Sequence, residues 1–233
     1  KLRTKTLPKL ILLMGKGVGE KIRKAISKRS SSATQIKSQE AIVGEIFESY
    51  ADQNNGSKFI EEDGIEQLGE DIGTDPASDV KFLVLFWKLG AKSPGKISKQ
   101  EFISGMINLC LESVSDIKAL LPTLNPDSMN FHNFKAFYKF VFQFSREGSM
   151  KTIEKEIVAA LLPMVIGPRS QHTELFVEFL LQSSGNDRVT FDQWNSFLEF
   201  STSVHDLDEY SDEGAWPILL DEYVEWYKSN GKC

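Results

Sequence analysis

The amino-acid sequence predicts an all-α, two-lobed helical domain, and three observations support this prediction. Apolar residues recur at helical spacing from Glu40 onward, several of these segments follow helix-capping residues, and no alternating run is long enough for a substantial sheet. A chain of 233 residues can bury a sizeable core as one large or two small domains. We therefore expect helices throughout the body of the chain, with short strand pairs at most.

Two apolar stripes predict the first helices. The first stripe has helical spacing and consists of Ile42, Val43, Ile46, Phe47 and Tyr50. The second consists of Val80, Leu83, Val84 and Trp87, and Ser78 is the predicted N-cap of its helix.

Capping signals predict three later helices. Ser98 and Glu101 have the spacing of a capping box ahead of an apolar run, and so do Thr190 and Gln193. Pro217 suits the first turn of a helix, where its missing N–H is not needed, so we expect the last helix to start there. Asp221 and Glu225 then share one face of that helix, and a basic partner would relieve their repulsion.

Two loops in the N-terminal half resemble calcium-binding loops but lack essential ligands. Residues 52–63 have the register of an EF-hand loop, yet Ser57 replaces the required Gly and Asp63 replaces the bidentate Glu. Residues 90–101 keep Gly95 and Ile97, but the positions where carboxylates belong hold Gly90, Lys92 and Pro94. We expect a degenerate EF-hand-like pair, retained for helix packing and a mini-sheet contact, with poor calcium affinity and no metal site.

Charge is distributed unevenly along the chain. Residues 1–39 contain eleven Lys or Arg and one acid, whereas the remainder contains 16 basic and 32 acidic residues. The acidic body argues against nucleic acid as the main partner and for a basic protein surface. Residues 1–39 are interpreted as a basic tail or linker, and a disordered arm or localisation signal is favoured over a membrane-binding amphipathic helix from Leu10 to Ile26.

No catalytic group is predicted. His132, His172 and His205 lie in separate segments without a nucleophile motif and are expected at the surface or as helix caps. Cys110 is expected as a buried, inert thiol on an apolar helix face. Two cysteines cannot form a disulfide framework, so a reducing intracellular compartment, nucleus or cytoplasm, is the expected location.

Several segments together resemble one known family. They are Asp212-Glu213-Gly214-Ala215-Trp216-Pro217 followed by Leu219, Asp221 and Val224-Glu225; Asp75-Pro76-Ala77-Ser78 with Trp87-Lys88; Ser98-Lys99-Gln100-Glu101-Phe102 with Gly105-Met106; and Phe137-Tyr138-Lys139-Phe140 with Phe142 and Phe144. In their order along the chain they resemble the potentiating-neddylation domain of the defective-in-cullin-neddylation family, over residues 40–228. The resemblance implies an EF-hand-like lobe at about 40–110, a helical lobe at about 111–228 and a short tail at 229–233.

The family resemblance also implies a function. Members are scaffold-type co-ligases without catalytic residues or cofactors of their own, which hold a cullin and a neddylation conjugating enzyme together. Proximity alone then accelerates transfer of the modifier to a cullin lysine. The implied partners are a cullin C-terminal domain and an N-terminally acetylated conjugating enzyme, not nucleic acid; membrane contact through the basic tail has no support beyond its charge.

Two sites follow from the same resemblance. The implied cullin-binding patch consists of Asp192, Ala215 and Asp221, although Asp192 could instead serve only the dipole of its helix. The implied pocket for the acetylated methionine of the conjugating enzyme consists of Ile65, Ala77, Phe82, Leu83, Leu85, Leu89, Ile97, Phe144 and Met164. The chain departs from the pocket pattern at Glu62, where an apolar residue is expected, and by one extra residue between Ser78 and Trp87.

Less specific interpretations are also compatible with the sequence. The acidic C-terminal face could be a solvated surface over a buried Trp216, and each apolar pocket residue taken singly could be a core residue. The alternative functions are an EF-hand-type calcium-responsive adaptor and a membrane-attached adaptor that uses residues 1–39.

Overall fold

The computed structural model describes residues 37–51, 58–185, 187–211 and 214–231. Residues 1–36 of the predicted basic tail and the first half of the first calcium-like loop, residues 52–57, lie outside these ranges. Residues 37–50 are helical and form α1, which therefore includes the last three residues that we assigned to the tail.

The N-terminal half contains five helices in its described residues and one strand pair. After α1 come β1 (Phe59–Ile60), α2 (Glu62–Ile72), α3 (Val80–Leu89), β2 (Ile97–Ser98), α4 (Lys99–Asn108) and α5 (Val114–Leu120). Short 3₁₀ turns at Leu121–Thr123 and Pro126–Ser128 lead into the C-terminal half.

The C-terminal half has the same composition of helices and short strands. It consists of α6 (Phe131–Phe144), β3 (Thr152–Glu154), α7 (Lys155–Val165), a 3₁₀ turn (Gly167–Arg169), α8 (Thr173–Gln182), β4 (Arg188–Thr190), α9 (Phe191–Ser203) and α10 (Ile218–Ser229). The predicted all-α class is confirmed. Among the described helices, none is long and apolar enough to cross a lipid bilayer.

The strands form two small antiparallel pairs, one in each half. In the first pair Ile60 lies opposite Ile97, so the pair joins the two loops of calcium-like sequence. In the second pair Ile153 lies opposite Val189. Strands β2, β3 and β4 each run directly into the next helix, and β1 does so after a single residue. The sequence suggested this arrangement only for the first pair.

Two of the predicted helix starts are confirmed and two are shifted by one residue. The capping boxes of Ser98 with Glu101 and of Thr190 with Gln193 are both present. The N-cap of α3 is Asp79 rather than Ser78, because the Ser78 hydroxyl donates to Asp75 instead. This hydrogen bond and a second one from the Ala77 N–H hold the pKa of Asp75 below its usual range. The last helix starts at Ile218, and Pro217 occupies the cap position before it.

One apolar cluster runs through both halves of the chain. Helix α3 contributes Phe82, Val84, Leu85, Phe86 and Leu89 to it, all of them buried. Helix α6 joins the halves. On one side Phe137 contacts Trp87 of α3, with ring centroids 5.7 Å apart, and on another side Tyr138 stacks on Trp194 of α9 at 4.4 Å.

Cys110 is exposed, so the prediction of a buried thiol is wrong. Helix α4 ends before it, and Cys110 adopts the left-handed conformation with φ of 56°. Its N–H donates to the Ile107 carbonyl, while the N–H of Leu111 donates to the Met106 carbonyl. These two bonds form a Schellman motif, which turns the chain and directs Leu111 rather than Cys110 into the core.

His172 is buried, so a surface position is excluded for this histidine. It occupies the N-cap position of α8 but makes no side-chain cap; its Nε2 instead lies 2.7 Å from the Val204 carbonyl oxygen. The ring packs edge-on against Phe200 and Tyr223. His132 and His205 are exposed, as predicted.

Gly105 allows α4 to approach α3 very closely. A Cβ at this position would lie 2.5 Å from the Leu89 Cα and 2.7 Å from the Leu89 carbonyl oxygen. Gly44 of α1 differs, because a Cβ there would meet only the Ile103 Cδ1, at 4.0 Å.

We therefore predict opposite effects for two Gly-to-Ala substitutions. Gly44→Ala should raise the free energy of unfolding by up to about 1 kcal/mol, because Ala has the higher helix propensity. Gly105→Ala should lower it by at least about 1 kcal/mol, because overpacking against backbone outweighs the same propensity gain. Urea denaturation of both variants checks this, and equal shifts in the two would contradict the close packing of α3 and α4.

Candidate protein-binding site

The first turn of α10 holds Asp221 at the edge of the core. Its neighbours Leu219 and Leu220 are buried and fix the helix, while Asp221 is half-buried. The Tyr210 hydroxyl donates to the Asp221 Oδ1 over 2.5 Å. Within the described residues this is the one hydrogen bond recorded for the Asp221 carboxylate, and no Lys or Arg forms an ion pair with it.

An aromatic cluster around Phe200 of α9 supports this turn. The rings of Tyr210, Trp216 and Tyr223 all pack against Phe200, with centroids 5.6, 5.6 and 6.1 Å away. Trp216 is half-buried, so it is less covered than the alternative of a solvated acidic surface over a buried Trp216 expects. Burial raises the pKa of the Tyr223 hydroxyl far above its usual value, so this group stays neutral. We call Phe200, Tyr210, Trp216 and Tyr223 the aromatic cluster.

Ala215 is exposed directly before Trp216. Because Trp216 is held by Phe200, the exposed Ala215 is attached to a fixed point of the C-terminal half. A methyl side chain at this position leaves the backbone accessible to a partner.

Asp192 is exposed in the first turn of α9 and has no recorded hydrogen bond or ion pair in the part of the chain that the structure describes. Glu199 on the same helix contrasts with it, because Lys135 lies 2.5 Å from its carboxylate. Asp192 precedes Phe200 by eight residues, which corresponds to about 12 Å along the helix axis. Asp192 therefore lies on α9 about two turns from the aromatic cluster, and Asp221 lies on α10, whereas Ala215 belongs to the segment that precedes α10.

The nine predicted pocket residues differ in accessibility. Six are core side chains exposed by no more than 7%: Ile65, Phe82, Leu85, Leu89, Ile97 and Phe144. Leu83 and Met164 are half-buried, and Ala77 is exposed. A ligand could reach Ala77, Leu83 and Met164 in this conformation, whereas contact with Leu85 would require neighbouring side chains to move. Glu62, the departure from the family pattern, is exposed in the first turn of α2.

Tyr210 is a site residue that the sequence did not indicate. It lies in an acidic loop eleven residues before Asp221, and no periodicity or motif links the two positions. Their hydrogen bond exists because α9 and α10 bring the loop and the first turn of α10 together.

Comparison with known proteins identifies the family to which the chain is similar. The family model described as "Cullin binding" matches residues 116–226, a range that includes Asp192, Ala215 and Asp221. DCN1-like protein 4 of Homo sapiens is 34% identical over 206 residues, covering 86% of this chain and 69% of that protein. DCN1-like protein 5 of Bos taurus is 35% identical over 167 residues, covering 71% of this chain and 70% of that protein. DCN1-like protein 4 of Danio rerio is 35% identical over 205 residues, covering 86% of this chain and 71% of that protein.

The calcium-responsive alternative leads to a direct prediction. In the ranges that the structure describes, no three His, Cys, Asp or Glu side chains form a metal-binding group, and Lys92 lies 4.0 Å from Glu101 in the second calcium-like loop. We expect no calcium binding tighter than about millimolar by isothermal calorimetry. Melting curves with calcium and with chelator should coincide, and a micromolar isotherm would establish the alternative instead.

Proposed function

The chain belongs to the cullin-binding family of DCN1-like proteins, and from this premise we propose that it is a non-catalytic scaffold co-ligase for cullin neddylation. A role in cullin neddylation follows from the family. The finer proposal is that one surface binds a cullin while another binds a neddylation conjugating enzyme.

The observation that carries the proposal is the state of the Asp221 carboxylate. It is half-buried, oriented by Tyr210 and without an ion-pairing Lys or Arg among the described residues. Partial burial of a charge without an internal counter-ion is unfavourable, and a Lys or Arg from a partner would remove this cost. Exposed Ala215 nearby in sequence permits close approach, and Asp192 offers a second acceptor on α9. We propose that these residues form the cullin-binding patch.

The scaffold would accelerate the transfer by positioning the reactants, without a catalytic residue of its own. Holding the cullin lysine and the loaded conjugating enzyme on one scaffold converts a bimolecular transfer into an effectively intramolecular one, which can contribute several kcal/mol. The single apolar cluster supports this proposal, because a continuous core holds the two proposed binding surfaces in a fixed relation.

The proposed second surface receives the N-terminus of the conjugating enzyme. An acetylated N-terminus is suitable because burial of a free ammonium costs several kcal/mol, whereas an amide can be satisfied by a hydrogen bond. Ala77, Leu83 and Met164 would make the first contacts, and the buried members of the pocket would be reached only after neighbouring side chains rearrange.

The cullin-binding patch is tested by two substitutions. Asp221→Ala removes the oriented charge, and loss of such a group from an interface costs about 2–5 kcal/mol. Ala215→Arg places a bulky cation where a basic partner should dock. We expect both variants to lose most of their affinity for a cullin C-terminal domain in calorimetry and to lose stimulation of neddylation in a reconstituted assay.

Matched controls separate binding from general charge effects. Glu156→Ala also removes an acid from the first turn of a helix, and Ala136→Arg also adds Arg at an exposed Ala. Both controls should bind normally. If Asp221→Ala and Ala215→Arg melt like the unaltered protein and bind the cullin with unchanged affinity, this surface does not bind cullin.

The second surface is tested with peptides from the N-terminus of a neddylation conjugating enzyme. The acetylated peptide should bind much more tightly than the free peptide in fluorescence polarisation, because the ammonium must be desolvated. An acetylated peptide with Asp in place of its first Met is the control and should bind weakly. Equal affinities for the acetylated and free peptides would remove the pocket from the proposal.

A further inference from the structure

We propose that Tyr210 is a positioning residue, which holds the Asp221 carboxylate in the orientation that receives a Lys or Arg of the cullin. This inference rests on the proposed function, and it assigns a role to a residue outside the patch of Asp192, Ala215 and Asp221.

The first observation in support is that the two carboxylate oxygens of Asp221 differ in their contacts. Oδ1 accepts the hydrogen bond from Tyr210, and no hydrogen bond to Oδ2 is recorded within the described residues. The donor is a neutral hydroxyl, so it fixes the side-chain torsions of Asp221 without neutralising the charge. A Lys or Arg in the place of Tyr210 would satisfy the carboxylate and compete with a basic partner.

The second support is that the position of the Tyr210 hydroxyl is itself fixed. The Tyr210 ring packs against Phe200, and its N–H contacts the Leu207 carbonyl at 3.4 Å. Leu207 is buried and anchors the loop to the core. The hydroxyl is thus attached to α9, whereas its acceptor belongs to α10.

The third support is that the start of the same loop is tied to the beginning of α8. The Gln171 Nε2 donates to the His205 carbonyl, and the His172 Nε2 donates to the Val204 carbonyl at 2.7 Å. Two side chains from one segment therefore fix consecutive carbonyls just before Tyr210. The loop has the anchoring expected of a rigid support for a binding group.

Preorganisation explains why such a support affects affinity. Immobilising a freely rotating side chain on binding costs conformational entropy, and a side chain that is already held avoids that cost. Removal of the Tyr210 hydroxyl should therefore weaken binding to the cullin even though Tyr210 need not touch the cullin. From the usual cost of ordering one side chain we expect a loss of roughly 3- to 10-fold.

The test is a double-mutant cycle measured with a cullin C-terminal domain. Tyr210→Phe removes the hydroxyl and keeps the ring on Phe200, and Asp221→Ala removes its acceptor. We expect Tyr210→Phe to weaken binding about 3- to 10-fold in the unaltered protein and by less than about 2-fold in the Asp221→Ala background. If Tyr210 only stabilised the fold, its substitution would give the same loss in both backgrounds. The coupling between the two sites therefore distinguishes a positioning role from a general structural role.

The outcomes separate this inference from the proposed function. If Asp221→Ala binds normally, the proposed patch fails and the positioning role fails with it. If Asp221→Ala loses binding while Tyr210→Phe binds normally, the patch stands and the positioning role is overturned. Equal losses from Tyr210→Phe in both backgrounds also overturn it. Thermal melting of each variant accompanies the binding measurements. The matched control is Tyr227→Phe, which alters a half-buried tyrosine further along α10.

Discussion

The packing of Tyr138 against Trp194 is the interaction on which the arrangement of the two halves depends. The rings stack with centroids 4.4 Å apart, and each side chain donates to the backbone carbonyl of the other residue at 3.0 Å. Both residues are almost fully buried, so each polar atom needs its partner. Burial raises the pKa of the Tyr138 hydroxyl well above its usual value, which keeps this donor neutral. This packing fixes the position of α6 relative to α9. Because α6 also packs against α3, α6 connects the N-terminal core to the helix that carries Asp192.

The aromatic cluster at the other end of α9 has a different consequence, because it places charge at the surface. Phe200 contacts Tyr210, Trp216 and Tyr223, which come from a loop, a helix-entry segment and α10. Edge-on and tilted ring contacts are specific in geometry as well as favourable in burial. The apolar interior therefore sets the position of the polar groups around it, and a rigid support of this kind is what a binding surface needs if affinity is to come from preorganised contacts.

Two cations elsewhere in the C-terminal half, half-buried Arg169 and buried Lys155, have several internal partners, in contrast to the acids of the proposed patch. The Arg169 guanidinium donates to the carbonyls of Pro126, Asp127 and Met129 and lies 4.2 Å from the centre of the Phe134 ring. Lys155 is buried, donates to the Ser183 carbonyl and lies 3.5 Å from Asp187. These groups serve the fold by joining distant segments. Asp221, by contrast, accepts a hydrogen bond from the Tyr210 hydroxyl and has no ion-pairing Lys or Arg among the described residues, which is the basis of the cullin-binding patch proposed above.

The sequence by itself determined the features that depend on neighbours within one turn. Helical periodicity and the capping boxes at Ser98 and Thr190 are read over three or four residues, so they could be predicted correctly. The family resemblance extended this to the residues of two proposed sites. Only the tertiary structure decided that Cys110 is exposed, that His172 is buried, that most of the predicted pocket residues lie in the core and that Tyr210 donates to Asp221. Each of these depends on where a helix ends or on which distant segments meet, and spacing along the chain carries no information about contacts that the packing of other helices creates.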